Sequence, residues 1–332
     1  MTLHRLPRRQ AAELTGRVAH GKALPPEVVA QVVAKTDGVP LLVEELTKMV
    51  LESGLLQERP ERYALTGPLP SLAIPTTLHD SLMARLDRLA AVKGLAQLGA
   101  TLGREFSYEL LHAVSPWDED PLHRGLHQLV AAEFRYQQGL PPQATYRFKH
   151  ALIQDAAYQS LLKSTRQQYH QRIAQVLESR FPDIGETQPE LLAHHDTEAG
   201  LSAQAIPYWQ TAGQRAAHQE AVGHLTTGVE VLQTLPDAPE RTQQDLRLHV
   251  ALGVSLMAVK GRAAPEVERV YTRARALCQQ VGDTPQLFPV LRGLFLFYLN
   301  RGQQQTAQEL AEQLLRQAER QPEVAPRLLG HY

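Results

Sequence analysis

Three strings in this chain carry residue types at spacings that could do chemistry. Gly16-Arg17-Val18-Ala19-His20-Gly21-Lys22-Ala23 has the two glycines and the lysine of a loop that cradles phosphates through backbone N–H groups and one ammonium. Ala23 stands where a Ser or Thr would ligate magnesium. A working loop also follows a strand and opens a helix; here helical sequence precedes it and Leu24-Pro25-Pro26 follows. No phosphate chemistry is assigned to it. His194-His195-Asp196 with Glu198 offers metal-ligand types, but neighbours on a helix point about 100° apart and no second ligand cluster is visible, so a solvated helix face is expected. Glu44 and Glu45 are adjacent and cannot converge as an acid–base pair. No Ser-His-Asp or Cys-His arrangement has supporting context. The sequence therefore yields no catalytic residue and no metal ligand.

Two other strings matter for binding. Thr36-Asp37-Gly38-Val39-Pro40-Leu41-Leu42-Val43-Glu44-Glu45-Leu46 reads as helix stop, tight turn, helix start: a glycine at a helix end, a proline two residues on, then an apolar run. Phe148-Lys149-His150-Ala151-Leu152-Ile153-Gln154-Asp155 places a lone histidine between a strand and a helix, and an imidazole N–H is a suitable donor to an anion.

The elements that would position these residues are mainly helical. Helices are expected at about 11–18, 25–35 and 41–53, the last stopped by Gly54. Residues 55–75 hold Tyr63-Ala64-Leu65 as a strand candidate among prolines 68, 70 and 75, a linker or edge hairpin. Thr76 or Thr77 can cap the next helix, where Leu78, Leu82, Leu86 and Leu89 recur at helical spacing. Helices follow at about 91–102, 107–114 and 119–133. Then Phe134-Arg135-Tyr136-Gln137 and Thr145-Tyr146-Arg147-Phe148-Lys149 alternate aromatic with polar or basic residues around Gly139-Leu140-Pro141-Pro142, a hairpin. Three helices and a terminal hairpin are the order of a winged helix. Its recognition helix, opening at Asp118-Glu119-Asp120, would present three acids where a DNA reader faces base edges and phosphates, and Arg135, Arg147 and Lys149 on the wing supply only a few phosphate contacts.

Beyond His150 the pattern is helix after helix. Gly213, Gly253 and Gly293 each fall in the first helix of a pair at a constant spacing of about forty residues, within the range of helical solenoids. Val267, Val270, Tyr271 and Ala274 match Ala307, Leu310, Ala311 and Leu314 at the same offset. The first pair departs: Ala221, Leu225 and Leu232 come early, so its inter-helix turn must be short. The aromatics Tyr208, Trp209, Phe288, Phe295, Phe297 and Tyr298 are expected in repeat packing. Pro326 to Tyr332 reads as a further helix, with the solenoid continuing.

Composition sets the outer limits. The 332 residues suffice for two or three domains. With 34 Lys+Arg against 35 Asp+Glu, nothing in the charge balance calls for a nucleic-acid or anionic-membrane partner. A lone cysteine, Cys278, excludes an internal disulfide framework and fits a reducing cytoplasm. Leu294 to Leu299 is too short an apolar run to span a bilayer.

The Gly38-Val39-Pro40 string resembles the glycine-x-proline segment in the lid of the STAND branch of AAA+ ATPases, and the string around His150 resembles the methionine-histidine-aspartate motif that ends their winged helix. Trp209 to Ala216 resembles the first helix of a tetratricopeptide repeat. The resemblance implies a mainly α chain: a partial helical ATPase lid over 1–54, a winged helix with a small β-hairpin over 55–160, and an α-solenoid of tetratricopeptide-like repeats over 161–332. It implies that Gly38, Val39 and Pro40 pack on adenine and that His150 meets the β-phosphate of ADP, with ATP or ADP held only together with an ATPase core this sequence lacks. Phe148-Lys149 and Ala151 depart from the motif on either side of His150. It further implies a sensing arm in a signal-transduction ATPase, protein partners on the repeats, and a fused effector such as an adenylate or guanylate cyclase. A nucleotide-independent adaptor and a winged-helix DNA-binding regulator stay open as other readings.

Overall fold

Proline marks where six of the described helices begin. Pro26, Pro40, Pro182, Pro189, Pro239 and Pro265 each occupy the first position of a helix, where a missing N–H is no loss and the fixed φ already suits the helix. A computed structural model describes residues 5–67, 78–282 and 284–320. They divide into two compact units, residues 1–165 and 166–332.

In the first unit, α1 (Arg8–Val18), α2 (Pro26–Thr36) and α3 (Pro40–Glu52) pack on one core of Ala11, Val28, Val32, Val43, Leu46 and Met49. An antiparallel hairpin of β1 (Leu56–Glu58) and β2 (Tyr63–Leu65) closes it, with Leu56, Tyr63 and Leu65 against the same core. The Tyr63 strand is thus paired and belongs with the first three helices. The expected Thr76 or Thr77 cap lies outside the described residues.

Next come α4 (Leu78–Arg88), α5 (Ala90–Leu102), β3 (Glu105–Ser107), α6 (Tyr108–Val114), α7 (Glu119–Ala131), β4 (Arg135–Gln138), β5 (Thr145–Phe148) and α8 (Ala151–Gln159). The hairpin expected from the alternating aromatics is β4 and β5. A third strand, β3, adds to its other edge, giving the order β3-β5-β4, all antiparallel.

The second unit is helical throughout: α9 (Lys163–Arg180), α10 (Pro182–Thr187), α11 (Pro189–Ala199), then the pairs α12 (Ser202–Arg215) with α13 (His218–Leu232), α14 (Pro239–Lys260) with α15 (Pro265–Val281), and α16 (Leu287–Asn300) with α17 (Gln304–Arg320). The three glycines forty residues apart sit at close helix crossings. A Cβ on Gly213 would run into Leu225, and a Cβ on Gly253 or on Gly293 would run into the ring of Tyr271. The short turn expected in the first pair is Ala216-Ala217. Trp209, Phe288 and Phe297 are buried and Tyr208, Phe295 and Tyr298 half-buried in the repeat core, as their helical spacing predicts. The helix expected at 326–332 lies outside the described residues.

Candidate nucleotide-sensing site

The turn before α3 is shaped by two left-handed residues. Asp37 (φ 46°) ends α2 and Gly38 (φ 71°) follows. Gly38 also receives the incoming chain, its carbonyl accepting from the Leu6 N–H at 2.7 Å. Val39 is the N-cap in extended conformation, 38% exposed, and Pro40 opens the helix. The turn therefore presents an apolar side chain to solvent at a helix start.

One turn into α3, the adjacent acids separate as their helical geometry requires. Glu45 points inward, fully buried, and pairs with the equally buried guanidinium of Arg85 on α4. Arg85 also grips Glu52 through two bonds, Nε to Oε2 at 3.0 Å and Nη2 to Oε1 at 2.9 Å, donates to the Ala132 carbonyl at 2.9 Å, and lies over the Phe134 ring. Glu44 points the other way. It accepts from Lys48 at 2.6 Å and from Lys149 at 2.9 Å, and both lysines also bond Glu133 in the turn between α7 and β4. These four charges form a closed ring linking α3 to the end of β5. Hydrogen bonds from Lys149 and Lys48 hold the Glu133 carboxyl at about 2, and its backbone adopts φ 57°, an uncommon conformation for glutamate.

His150 follows Lys149 directly and is the N-cap of α8. Its Nε2 is buried with no hydrogen-bond partner among the described residues, a condition that native interiors rarely leave unexplained. The first turn of α8 carries no acid, since Ala151 stands there, and Gln154 is committed to the Ala100 carbonyl at 3.2 Å. An open cleft of about 480 Å3 borders the charge ring, lined by Arg17, His20, Lys48, Arg85, Glu133 and Lys149 among others. Gly38, Val39, Pro40 and His150 are not in its lining; what connects their two segments is the Lys149–Glu44 bond.

Gly16 lies inside α1, and Lys22, beyond its end, pairs with Glu58 of β1. Ala23 is stitched to the hairpin by its N–H to Glu61 and its carbonyl to Tyr63. The phosphate-loop-like string is a helix end followed by a structural ion pair.

Two sequence expectations are corrected. Arg135, expected on the wing as a phosphate contact, is buried in the core. Its guanidinium lies between the rings of Phe106 and Phe148, 4.7 and 4.2 Å from their centroids, and donates to the Ala96 carbonyl at 3.0 Å. The register explains this: Arg135 is paired opposite Phe148, so both face inward, and Tyr136 opposite Arg147 faces out. Burial lowers the Arg135 pKa to about 9. His195 and Asp196, expected on a solvated face, are each 1% exposed. The partner that sequence reasoning missed is His170 of α9, whose Nδ1 lies 2.8 Å from the His195 Nδ1. Its signal was available: His170 falls in register with Ile173, Ala174 and Leu177 on the buried stripe of its helix. Burial, with the neighbouring imidazoles, depresses His170 to about 4 and His195 to about 3, and burial raises Asp196 to about 6. Among the described residues no group of three or more His, Cys, Asp or Glu is disposed to hold a metal ion. Cys278 is buried in the repeat core, its thiol pushed up to about 11 by burial. No described helix is long and apolar enough to cross a membrane.

No family model matches the chain. It is 24% identical over 284 residues to an uncharacterized protein of Rhizobium meliloti (strain 1021), a match that takes in 83% of this chain and 27% of that protein. It superposes on the crystal structure of a Signal Transduction ATPase with Numerous Domains (STAND) protein with a tetratricopeptide repeat sensor from Pyrococcus horikoshii, with a TM-score of 0.37 and 12% identity, over 96% of this chain and 48% of that one. This chain thus spans about a quarter of the curated relative and about half of the solved one.

Proposed function

We propose that this chain is the regulatory and sensing segment of a STAND-type signal-transduction ATPase, coupling a protein partner on the helical repeats to the nucleotide state of an ATPase core and, through it, to a fused effector such as a nucleotide cyclase. In this reading residues 1–54 are the lid and 55–160 the winged helix. The observation that carries it is the 2.9 Å bond from Lys149 to Glu44. It joins the residue before His150 to the first turn of the helix opened by Pro40, so the adenine-side and phosphate-side segments act as one body. The unpartnered His150 Nε2 supplies a donor or acceptor with no described partner, and Val39 an exposed apolar surface for a purine.

Magnitudes constrain the switch. Driving such an equilibrium from almost fully closed to almost fully open takes about 5.5 kcal/mol of differential binding. The ring of Glu44, Lys48, Glu133 and Lys149 is partly buried, with Glu133 half-exposed, and offers on the order of 1 kcal/mol per pair. It sets register rather than the energy gap, and the nucleotide must supply most of the closed-state preference.

The test uses the full-length natural protein. It is expected to purify with ADP bound, and His150→Ala is expected to release that ADP at least tenfold faster. A full-length protein that holds no nucleotide would leave the nucleotide-independent adaptor as the reading. Unchanged release from His150→Ala would remove the sensing role of His150. The DNA-binding reading requires duplex affinity that falls with salt; burial of Arg135 and pairing of Lys149 leave Arg147 as the exposed member of the three wing cations.

A further inference from the structure

Glu133, on the rim of the cleft in the first unit, occupies a place usually given to glycine. It sits in the left-handed position of the helix stop that ends α7, with φ 57° and the Phe134 N–H bonded back to the Leu129 carbonyl at 3.0 Å. A glutamate there carries a backbone cost that glycine would not, and what it supplies in return is a carboxylate. That carboxylate bonds Lys149 at 2.8 Å and also Lys48. The three side chains are unequally free. Glu133 is 49% exposed, whereas Lys48 and Lys149 are 13% and 17% exposed and are both held as well by Glu44. Glu133 can turn out into solvent; the two ammoniums stay where Glu44 keeps them.

Both lysines line the cleft of about 480 Å3, a size within the range of about 300–1,000 Å3 usual for small-molecule sites. Arg17, exposed in the last turn of α1, lines it too and makes no ion pair or side-chain hydrogen bond to a described residue. Among the described residues, charge is balanced while Glu133 stays in place. Arg17, Lys48, Arg85 and Lys149 meet Glu44, Glu52 and Glu133 of the lining, and Glu45 pairs with Arg85 from behind. With Glu133 turned out, four cations face three carboxylates. His20 is a further lining residue, and Glu58, the acid it feels, is taken by Lys22. Val18, Leu51 and Tyr63, each half-buried, give the same cleft apolar surface. The cleft thus suits an anion stronger than a carboxylate, joined to an apolar body.

We propose that this cleft binds a small phosphomonoester, whose phosphate displaces the Glu133 carboxylate from Lys48 and Lys149 and gains Arg17 as a third cation, while its carbon body lies on Val18, Leu51 and Tyr63. A phosphomonoester carries a charge of about −1.5 to −2 at pH 7 and three acceptor oxygens, so it satisfies both ammoniums and a guanidinium at once, where one carboxylate reaches only the ammoniums. Glu133 is then an internal stand-in for the ligand, occupying the site when it is empty. The site is built by the first unit alone and holds whether or not the chain serves an ATPase.

The probes are phenyl phosphate, inorganic phosphate and sulfate, titrated calorimetrically into the whole 332-residue chain at pH 7.5 and constant ionic strength. Phenyl phosphate is expected to bind one to one and at least tenfold more tightly than sulfate. Two variants should move its affinity in opposite directions. Arg17→Ala is expected to weaken it at least tenfold, with circular dichroism unchanged because Arg17 is exposed and unpaired. Glu133→Gly is expected to tighten it at least threefold, since glycine suits the left-handed angle and the competing carboxylate is gone. Arg262→Ala, an exposed cation of the second unit, should change nothing. No binding of phenyl phosphate, weaker binding by Glu133→Gly, or equal losses from Arg17→Ala and Arg262→Ala would overturn the site. Inorganic phosphate bound as tightly as phenyl phosphate would overturn the carbon-body contact and assign the cleft to the free ion.

Discussion

Two buried arginines in the first unit look alike by accessibility and differ in what their removal leaves behind. Arg85→Met strands the Glu45 carboxylate, fully buried with one oxygen already unpartnered, and a loss of about 3–5 kcal/mol is expected. Arg135 faces aromatic rings and one carbonyl, with no ion pair to a described carboxylate and two of its nitrogens unbonded among the described residues. Arg135→Met fills a similar volume and sheds the desolvation penalty, so a change within about 1 kcal/mol is expected. Urea denaturation of the two variants checks this, and equal losses would refute the distinction. Glycine gives a second contrast. Gly38→Ala combines φ 71° with a collision against the Leu6 carbonyl, whereas Gly21→Ala has φ 79° and open space. The expected losses are about 3 and about 1 kcal/mol; similar values for both would mean the collision is relieved by a small backbone shift. At this scale the Gly38 turn was legible because glycine and proline fix backbone angles by themselves. The fate of Arg135 was not, because a strand's two faces are told apart only once its register with β5 is known.

Elements were legible where their ends carry chemistry. The two proline-opened helices with expected bounds, α2 and α3, fall within a residue of them, and the glycine spacing places all three repeat pairs. β3 escaped because Glu105-Phe106-Ser107 is too short to show alternation and is defined by its pairing with β5. The packing of α9 on α11 escaped for a related reason: a histidine pair spanning twenty-five residues has no local signature. That pair makes stability depend on pH. His170 and His195 titrate in the folded protein below their unfolded value of 6.5. Their contribution is therefore complete above 6.5 and lost as pH falls toward about 4. Asp196, raised to about 6, acts in the opposite sense, becoming less unfavourable as pH falls through that value. Two histidines outweigh one aspartate, so between pH 7.5 and 5 a net loss on the order of 2–3 kcal/mol is expected. Thermal melts at the two pH values measure it. His170→Leu with His195→Leu should flatten the dependence; a slope unchanged in that double variant would assign it elsewhere.

On the scale of the whole chain, each unit has its own core, residues 11–56 contributing to one and 193–310 to another. A helical stack is stabilised by nearest-neighbour interfaces more than by its separate repeats, so a residue shared by two interfaces has a reach that a residue in one lacks. Tyr271 is such a residue, since its ring sits against Gly253 of α14 and against Gly293 of α16, where any Cβ would displace it. Tyr271→Ala empties both crossings at once, and a loss of about 3–5 kcal/mol is expected from an aromatic truncation of this kind. The distinctive prediction concerns its spread. Amide hydrogen exchange should accelerate along α14, α15 and α16 together, because the two flanking helices lose the same side chain, and residues 5–67 should keep their protection. Leu225→Ala, which touches Gly213 alone among the three glycines, should act chiefly on α12 and α13. If Tyr271→Ala accelerates exchange only within α15, the repeats are held by independent contacts, and the forty-residue spacing of the glycines reflects helix crossing without a shared wedge.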